Sequence, residues 1–213
     1  MKKKRWKAWI AIVLLLLAAA LFLALFNVYD SWRAGEDARQ VQSSLEGQMP
    51  GQGDGEESGD SETEADDEIS HLLEDREMPT VEVDGNRYIG YLEFPSLHRK
   101  LPVMDEWDYD KLKTAPCRYS GSVYKNNLVI AGHNYISHFG PVRYQKIGTE
   151  VDFIDADGVK YTYEISDIEV LDPYDINDMT QTDGGWDLTL FTCTTGGKAR
   201  YAIRCTRTDM AGQ

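Results

Sequence analysis

Three side chains in the C-terminal part of the sequence have the chemistry for cysteine-based acyl transfer. Cys193 ends a strand-like run that begins at Leu188, and a loop with two glycines follows it. His133 comes just after the apolar run 127–131, and Arg200 begins the next strand-like run beyond the glycine loop. A thiolate is a strong nucleophile, an imidazole exchanges protons near neutral pH, and a guanidinium stabilises a thiolate or an oxyanion. The three groups together favour a cysteine enzyme.

Each of these residues also has an interpretation without catalysis. Cys193 taken alone is equally consistent with a small, buried structural thiol. His133 and His138 lie five residues apart and could suggest a metal site, but no further Cys, Asp or Glu stands at a matching spacing. We therefore expect no metal ion. For Arg204, which shares a strand face with Arg200, an ordinary solvated arginine is the alternative.

Residues 79–210 are predicted to form one β domain that positions these groups. Short runs rich in β-branched and aromatic residues alternate with turn signals such as Asp84-Gly85, which is typical of a hairpin. The segment 107–114 is the best candidate for a helix. About eight strands with one or two short helices favour an all-β fold, and a closed eight-stranded β-barrel over a sandwich.

The N-terminus is predicted to be a membrane anchor. Residues 1–7 are a basic segment with five positive charges, and residues 8–26 contain no charged or strongly polar side chain. At about 1.5 Å per residue, this run is nearly long enough for a hydrocarbon core of ~30 Å. A cleaved signal peptide is the alternative. The basic cluster predicts a single-pass signal-anchor in the cell membrane, with the N-terminus in the cytoplasm and the β domain outside.

Residues 27–78 are predicted to be a disordered acidic linker outside the membrane. Ten acidic side chains fall between Glu46 and Glu68, and residues 49–68 include no aromatic or basic one. Such a segment cannot bury enough apolar surface to offset the entropy of ordering it, and its charges repel one another. It accounts for much of the formal net charge of −14. Because no basic patch with interleaved aromatic residues occurs, nucleic-acid binding is not expected.

Two sequence boxes and one arginine resemble the sortase family of Gram-positive bacteria. The first box is NLVIAGHN at 127–134, the second is LTLFTC at 188–193, and the arginine is Arg200. The resemblance covers about residues 88–207, and a membrane anchor followed by a spacer also fits that family. The Gly-His-Asn form of the first box is most similar to class B, whereas the seven-residue interval from Cys193 to Arg200 is shorter than in that class. The subclass is therefore left open.

The resemblance implies an eight-stranded β-barrel in which His133, Cys193 and Arg200 are the catalytic set. Thr192 and Asn134 would contact the substrate. Cys193 would attack a Thr-like residue in an LPXTG-like or NPQTN-like sorting signal of a secreted protein, while Arg200 stabilises the oxyanion and His133 protonates the leaving amine. The thioacyl enzyme would then react with an amine of a peptidoglycan precursor or a pilin subunit. This chemistry implies no metal or organic cofactor.

Two other classes of function are alternatives. A membrane-anchored cysteine hydrolase would release the acyl group to water, and a non-catalytic surface module would use Cys193 only for packing. The remaining cysteines, Cys117 and Cys205, are either buried thiols or a disulfide pair, which an extracellular location allows. The loops 135–142 and 171–185 are expected to shape the specificity pocket.

Overall fold

The computed structural model describes residues 2–49, 76–181 and 184–209, which form a long N-terminal helix and a β-barrel. Helix α1 is Lys2–Gln48, and a short helix, α2, is Ile176–Thr180. Strands β1 to β9 are, in order, Val81–Val83, Asn86–Phe94, Arg99–Met104, Cys117–Ser120, Leu128–Ala131, Glu150–Asp155, Lys160–Leu171, Leu188–Cys193 and Arg200–Arg207. Single 3-10 turns occur at Pro95–Leu97, Lys111–Lys113, Val123–Lys125 and Val142–Tyr144.

Pairing between β2 and β6 closes the sheet into a barrel. The ring has the order β2-β3-β4-β5-β8-β9-β7-β6, and β1 is the other arm of a hairpin with β2. Gly90 lies in β2 where the register with β3 shifts. A Cβ atom on Gly90 would stand 1.9 Å from the carbonyl oxygen of Ile154, and its φ of 140° also favours glycine. The closed eight-stranded barrel predicted from the sequence is confirmed.

The alternation of side chains along β8 separates the core from the site. Leu188 and Leu190 point into the barrel, where they join the main apolar cluster. Because successive strand residues face opposite sides of a sheet, Thr189, Phe191 and Cys193 lie on the outer face. The Cys193 thiol is therefore carried by a strand whose other face packs in the core, which fixes its position.

Most of the predicted helix 107–114 is not helical. Only Lys111–Lys113 forms a single 3-10 turn. The carboxylate of Asp108 accepts hydrogen bonds from the backbone N–H groups of Asp110 and Lys111, at 2.8 and 3.3 Å. Such local side-chain bonds compete with the helical pattern, which explains the irregular loop.

Helix α1 continues beyond the apolar run and packs on the barrel. Its N-terminal part is exposed, and it is long and apolar enough to cross a membrane. Residues 27–48 are helical in the structure, where the sequence predicted a disordered linker. They fold because a stripe repeated every three or four residues is buried against the barrel; the stripe consists of Ser31, Ala34, Ala38, Val41 and Leu45.

Both ends of the remaining linker rest on the barrel. Met49, just after α1, packs against an apolar cluster that includes Tyr88 and Tyr91. On the other side, the guanidinium of Arg76 forms an ion pair with Asp157 at 2.9 Å. The predicted disordered stretch between them, residues 50–75, lies outside the described residues.

Candidate active site

The ends of three neighbouring strands bring His133, Cys193 and Arg200 to one edge of the barrel. In the parallel pair of β5 and β8, Ala131 lies opposite Phe191. His133 and Cys193 each follow two residues later, so the same register puts them side by side. In the antiparallel pair of β8 and β9, Cys193 lies directly opposite Arg200. Because neighbouring strands are about 4.8 Å apart, the three side chains start from adjacent positions.

A cavity opens at this edge, and four of the five residues predicted for the site line it. They are His133, Thr192, Cys193 and Arg200, and the aromatic part of the lining is Trp107, Tyr109 and Phe191. Cys193 is partly exposed. Thr192 is buried, and its hydroxyl has no hydrogen-bond partner among the described residues. The fifth predicted residue, Asn134, is next to His133 and donates a 3.4 Å hydrogen bond to the Thr194 carbonyl.

The loop between Cys193 and Arg200 is a tight hairpin that only certain residues allow. The backbone N–H of Thr194 donates to the Ala199 carbonyl at 3.0 Å, and the Ala199 N–H donates to the Thr194 hydroxyl at 3.1 Å. Gly196 and Gly197 have φ values of 88° and 72°, which favour glycine. Nη1 of Arg200 donates to the Gly197 and Ala199 carbonyls, both at 3.2 Å. The hairpin thus holds Arg200 across from the thiol.

His133 is half-buried and is supported by an aromatic ring. Its imidazole stacks on Tyr135 with ring centroids 4.7 Å apart. Burial lowers the pKa of His133; the carboxylate of Asp30 opposes this shift and the charge of Lys113 adds to it. The Tyr135 hydroxyl in turn donates to Asp30 at 2.9 Å. A lowered pKa keeps the imidazole neutral at pH 7, which suits a general base.

His138, considered above as a second metal ligand, is fully buried away from the cavity lining. Neither ring nitrogen makes a well-formed hydrogen bond among the described residues, although the backbones of Ala34 and Thr114 lie close enough to oppose part of the pKa shift. Burial, with smaller effects of the charges on His133 and Arg99, lowers the pKa of His138 to about 4. Among residues 2–49, 76–181 and 184–209, no group of three His, Cys, Asp or Glu side chains could hold a metal ion.

His138 is expected to make the protein less stable in mild acid. Its pKa is about 6.5 in the unfolded chain but about 4 in the folded one, so below pH 6.5 the unfolded state binds more protons. The contribution of neutral His138 to the free energy of unfolding is therefore fully present above pH 6.5 and is lost as the pH falls towards 4. Between pH 8 and pH 5, protonation of this histidine in the unfolded chain should lower the free energy of unfolding by about 2 kcal/mol. Urea denaturation at both pH values measures the loss.

The matched variants for this test are His138→Phe and His98→Asn. His138→Phe should remove this part of the pH dependence. His98 is exposed, and asparagine tolerates its positive φ of 48°, so His98→Asn should leave the pH dependence unchanged. If His138→Phe and the unmodified protein lost equal stability between pH 8 and pH 5, His138 would not be the source of the pH dependence.

The other two cysteines are buried free thiols in different apolar clusters. Cys117 belongs to the cluster beneath α1, and Cys205 lies in the barrel core. Burial raises the pKa of Cys117 to about 11, and burial also raises the pKa of Cys205. Both thiols are therefore protonated and inaccessible at neutral pH, whereas Cys193 faces the cavity.

Arg204 is buried, not solvated as the sequence alternative had it. Its side chain is 0% exposed, and Nε pairs with a Glu169 carboxylate oxygen at 2.9 Å. Nη1 donates to the Met179 carbonyl at 3.2 Å and to the Thr189 hydroxyl at 3.0 Å, and Nη2 donates to the Asp178 carbonyl. The guanidinium thus fastens α2 to the outer face of β8 and β9, the same face that carries Cys193.

Sequence reasoning missed the residues that surround the catalytic candidates. Trp107 and Tyr109 line the cavity, but their segment was interpreted as a helix. Tyr135 was included only in a loop, and Asp30 was placed in the linker. The available signal was two aromatic residues in the otherwise acidic run 105–110, a composition that favours a contact surface over a helix.

Comparison with known proteins agrees with this architecture. Residues 92–208 match the Sortase domain. Sortase A from Corynebacterium diphtheriae is 21% identical, with a TM-score of 0.52, over 84% of this chain and 85% of that one. A Clostridium perfringens sortase D5 transpeptidase is 20% identical, with a TM-score of 0.52, over 68% and 89%. Sortase C1 from Streptococcus agalactiae is 21% identical, with a TM-score of 0.51, over 83% and 86%.

The structural similarities concern the fold, whereas the domain match covers more than half of the sequence. No curated protein matches the sequence. The matched region contains both sequence boxes and the arginine, and it coincides with the closed barrel that carries them. The chain belongs to the sortase family of cysteine transpeptidases.

Proposed function

We propose that this chain is a membrane-anchored sortase that cuts a C-terminal sorting signal of secreted proteins and transfers the new acyl end to an amine. The observation that carries the proposal is the convergence of His133, Cys193 and Arg200 on one cavity from three separate strands. Helix α1 would be the anchor, with the basic segment 1–7 in the cytoplasm and the barrel outside.

The first half of the reaction forms a thioacyl enzyme. The Cys193 thiol gives its proton to neutral His133, and the sulfur attacks the carbonyl carbon of a Thr-like residue in an LPXTG-like or NPQTN-like signal. The carbonyl oxygen becomes an oxyanion. When the tetrahedral intermediate collapses, the C–N bond breaks and His133 returns the proton to the leaving amine. The C-terminal peptide departs, and the acyl group stays on sulfur.

Arg200 is the proposed oxyanion ligand. A guanidinium has five N–H donors, and the two on Nη1 already bind the Gly197 and Ala199 carbonyls. The donors on Nε and Nη2 remain for the substrate oxygen. Thr192, with its unpartnered buried hydroxyl, and Asn134 are proposed to contact the substrate backbone. The aromatic cavity wall suits an apolar residue of the sorting signal.

The second half of the reaction distinguishes a transpeptidase from a hydrolase. An incoming amine, from a peptidoglycan precursor or a pilin subunit, attacks the thioester while His133 takes its proton. When this second tetrahedral intermediate collapses, the C–S bond breaks, His133 returns the proton to the sulfur of Cys193, and a new amide bond replaces the one that was cut. Water as the acceptor would give a carboxylic acid instead.

The test is to incubate the full chain with LPXTG-type and NPQTN-type peptides, with and without triglycine. The full chain is required because Val41 and Leu45 of α1 belong to a buried cluster of the barrel. The proposal predicts that triglycine diverts most of the product, at least tenfold over acid, into a new amide seen by mass spectrometry. Acid as the main product at saturating amine would favour the hydrolase, and no cleavage of either peptide class would contradict the proposal.

A further inference from the structure

Helix α1 leaves very little distance between the apolar run and the candidate active site. The run ends at Phe26, and Asp30, one helical turn later, already accepts the hydrogen bond from Tyr135. Four helical residues rise by about 6 Å. Because Tyr135 stacks on His133, the site lies within roughly two helical turns of the end of the run.

The loop after His133 is fastened to this same part of the helix. The backbone N–H of Ile136 donates to the Ser31 hydroxyl at 3.1 Å, and the Ser137 hydroxyl donates to the Ser31 carbonyl at 2.7 Å. A Cβ atom on Gly35 would stand 2.8 Å from Cβ of Ser137, so the helix and the loop are in close contact. The Ile136 side chain nevertheless stays 70% exposed.

A second loop, residues 107–113, lies beside the same part of α1. Lys113 lies close enough to Asp30 for their charges to interact. In this loop Tyr109 is 65% exposed, and its ring meets Trp107 edge to face at 5.3 Å. Trp107 and Tyr109 also line the cavity. Loops 107–113 and 134–138, here called the rim, therefore flank the cavity and carry large apolar groups that the barrel does not cover.

Aromatic residues of α1 indicate where the rim lies relative to the membrane. Tyr29 and Trp32, on either side of Asp30, are exposed, and tyrosine and tryptophan concentrate where a membrane span meets the headgroups. If α1 spans the bilayer, the residues that hold the rim stand at headgroup depth. This step rests on the membrane anchoring in the proposed function.

The rim is suited to apolar insertion and not to attraction by anionic lipids. Its lysines are paired with nearby carboxylates: Lys113 with Asp110 in the same loop at 2.7 Å, and Lys111 with Glu106 just before the loop at 3.6 Å. Little net positive charge remains, whereas Ile136 and Tyr109 project freely. Large exposed apolar side chains beside a membrane span are expected to enter the boundary between headgroups and acyl chains.

We propose that the rim rests on the outer surface of the lipid bilayer, with Ile136 and Tyr109 inserted at the headgroup boundary, so that the cavity of Cys193 opens at the membrane interface. Helix α1 acts as a stiff connection that fixes this height. Substrate and acceptor then meet the thiol while they are still close to the lipid.

The test places a fluorophore on the rim of the full chain. In a Cys193→Ala background, Ile136→Cys is labelled with a polarity-sensitive nitrobenzoxadiazole dye; Cys117 and Cys205 are buried and do not compete. The protein is reconstituted in phosphatidylcholine vesicles. Lipids with a shallow nitroxide should quench the dye at least threefold more strongly than they quench a control dye on Val159→Cys. Val159 is an exposed apolar residue in the hairpin at the other end of β7, twelve residues before Leu171, the β7 residue opposite Arg200.

The outcomes separate this inference from the proposed function. If the protein floats with the vesicles but both dyes are quenched equally, the rim does not touch the bilayer and the inference fails. If the protein does not float with the vesicles, the membrane anchor itself fails. Quenching that appears only with anionic phosphatidylglycerol would overturn apolar insertion. A six-residue Gly-Ser insertion after Asn27 should abolish the difference between the dyes, and an unchanged difference would contradict the stiff connection.

Discussion

Cys193→Ala is expected to abolish the thioacyl adduct and to lower peptide turnover by about 10⁴-fold or more. The sulfur is the only atom of the proposed machinery that forms a covalent bond with the carbonyl carbon of the substrate. His133 and Arg200 cannot replace it, because a base and an oxyanion ligand have nothing to act on without the nucleophile. Intact-mass measurement after incubation with a sorting-signal peptide detects the adduct directly.

The controls are the two other thiols of the chain. Cys117→Ala and Cys205→Ala should keep the adduct, since both sulfurs are buried and burial raises the pKa of each. Both changes leave small cavities, so they are measured below their own unfolding temperatures. Adducts of equal yield in all three variants would show that another group is the nucleophile, and the active-site assignment would then be abandoned.

Arg204→Met is expected to destabilise the barrel by about 3–5 kcal/mol. Methionine fills much of the same space but offers no donors. The carbonyl oxygens of Asp178 and Met179, the Thr189 hydroxyl and the Glu169 carboxylate would lose their shared partner. The stacking of the guanidinium on Trp186, at 4.5 Å, would also be lost. The midpoint of urea denaturation measures the effect.

Arg200→Met is the matched control because it removes the same charge from the same strand. Arg200 is partly exposed and bonds only loop carbonyls among the described residues, so its loss should change stability by less than about 1 kcal/mol. Activity should show the opposite order: Arg200→Met loses it, whereas Arg204→Met retains it at temperatures where the protein is folded. Equal stability losses in both variants would contradict the anchoring role of Arg204.

The barrel and the placement of Arg200 beside Cys193 follow from local sequence signals. Alternation in Leu188–Cys193 determines which side chains face the core, and the glycines after Cys193 determine the hairpin that sets Arg200 opposite the thiol. The position of His133 needs the parallel pairing of β5 with β8, which local pattern does not reveal. The family resemblance supplied the grouping of His133 with Cys193 and Arg200, but not the strand pairing that produces it.

The packing of α1 on the barrel and the burial of Arg204 could not be predicted in this way, because each depends on a segment distant in sequence. Ser31, Ala34 and Ala38 form a stripe too weakly apolar to predict a packed helix, and they are buried because the loop at Ser137 and the adjoining strands of the barrel lie against α1. Arg204 has a strand position that predicts exposure. It is buried because α2, from the preceding connection, turns two backbone carbonyls towards it.

The placement of Met49 and Arg76 on the barrel changes the role of the acidic segment 50–75. Since α1 packs on the barrel before residue 50, the length of this segment does not set the position of α1 relative to the barrel; Met49 and Arg76, on its two sides, both contact the barrel. Closure entropy grows slowly, by about 0.6 kcal/mol for each doubling of length. Insertions and deletions there should therefore leave the position of Cys193 relative to α1 unchanged.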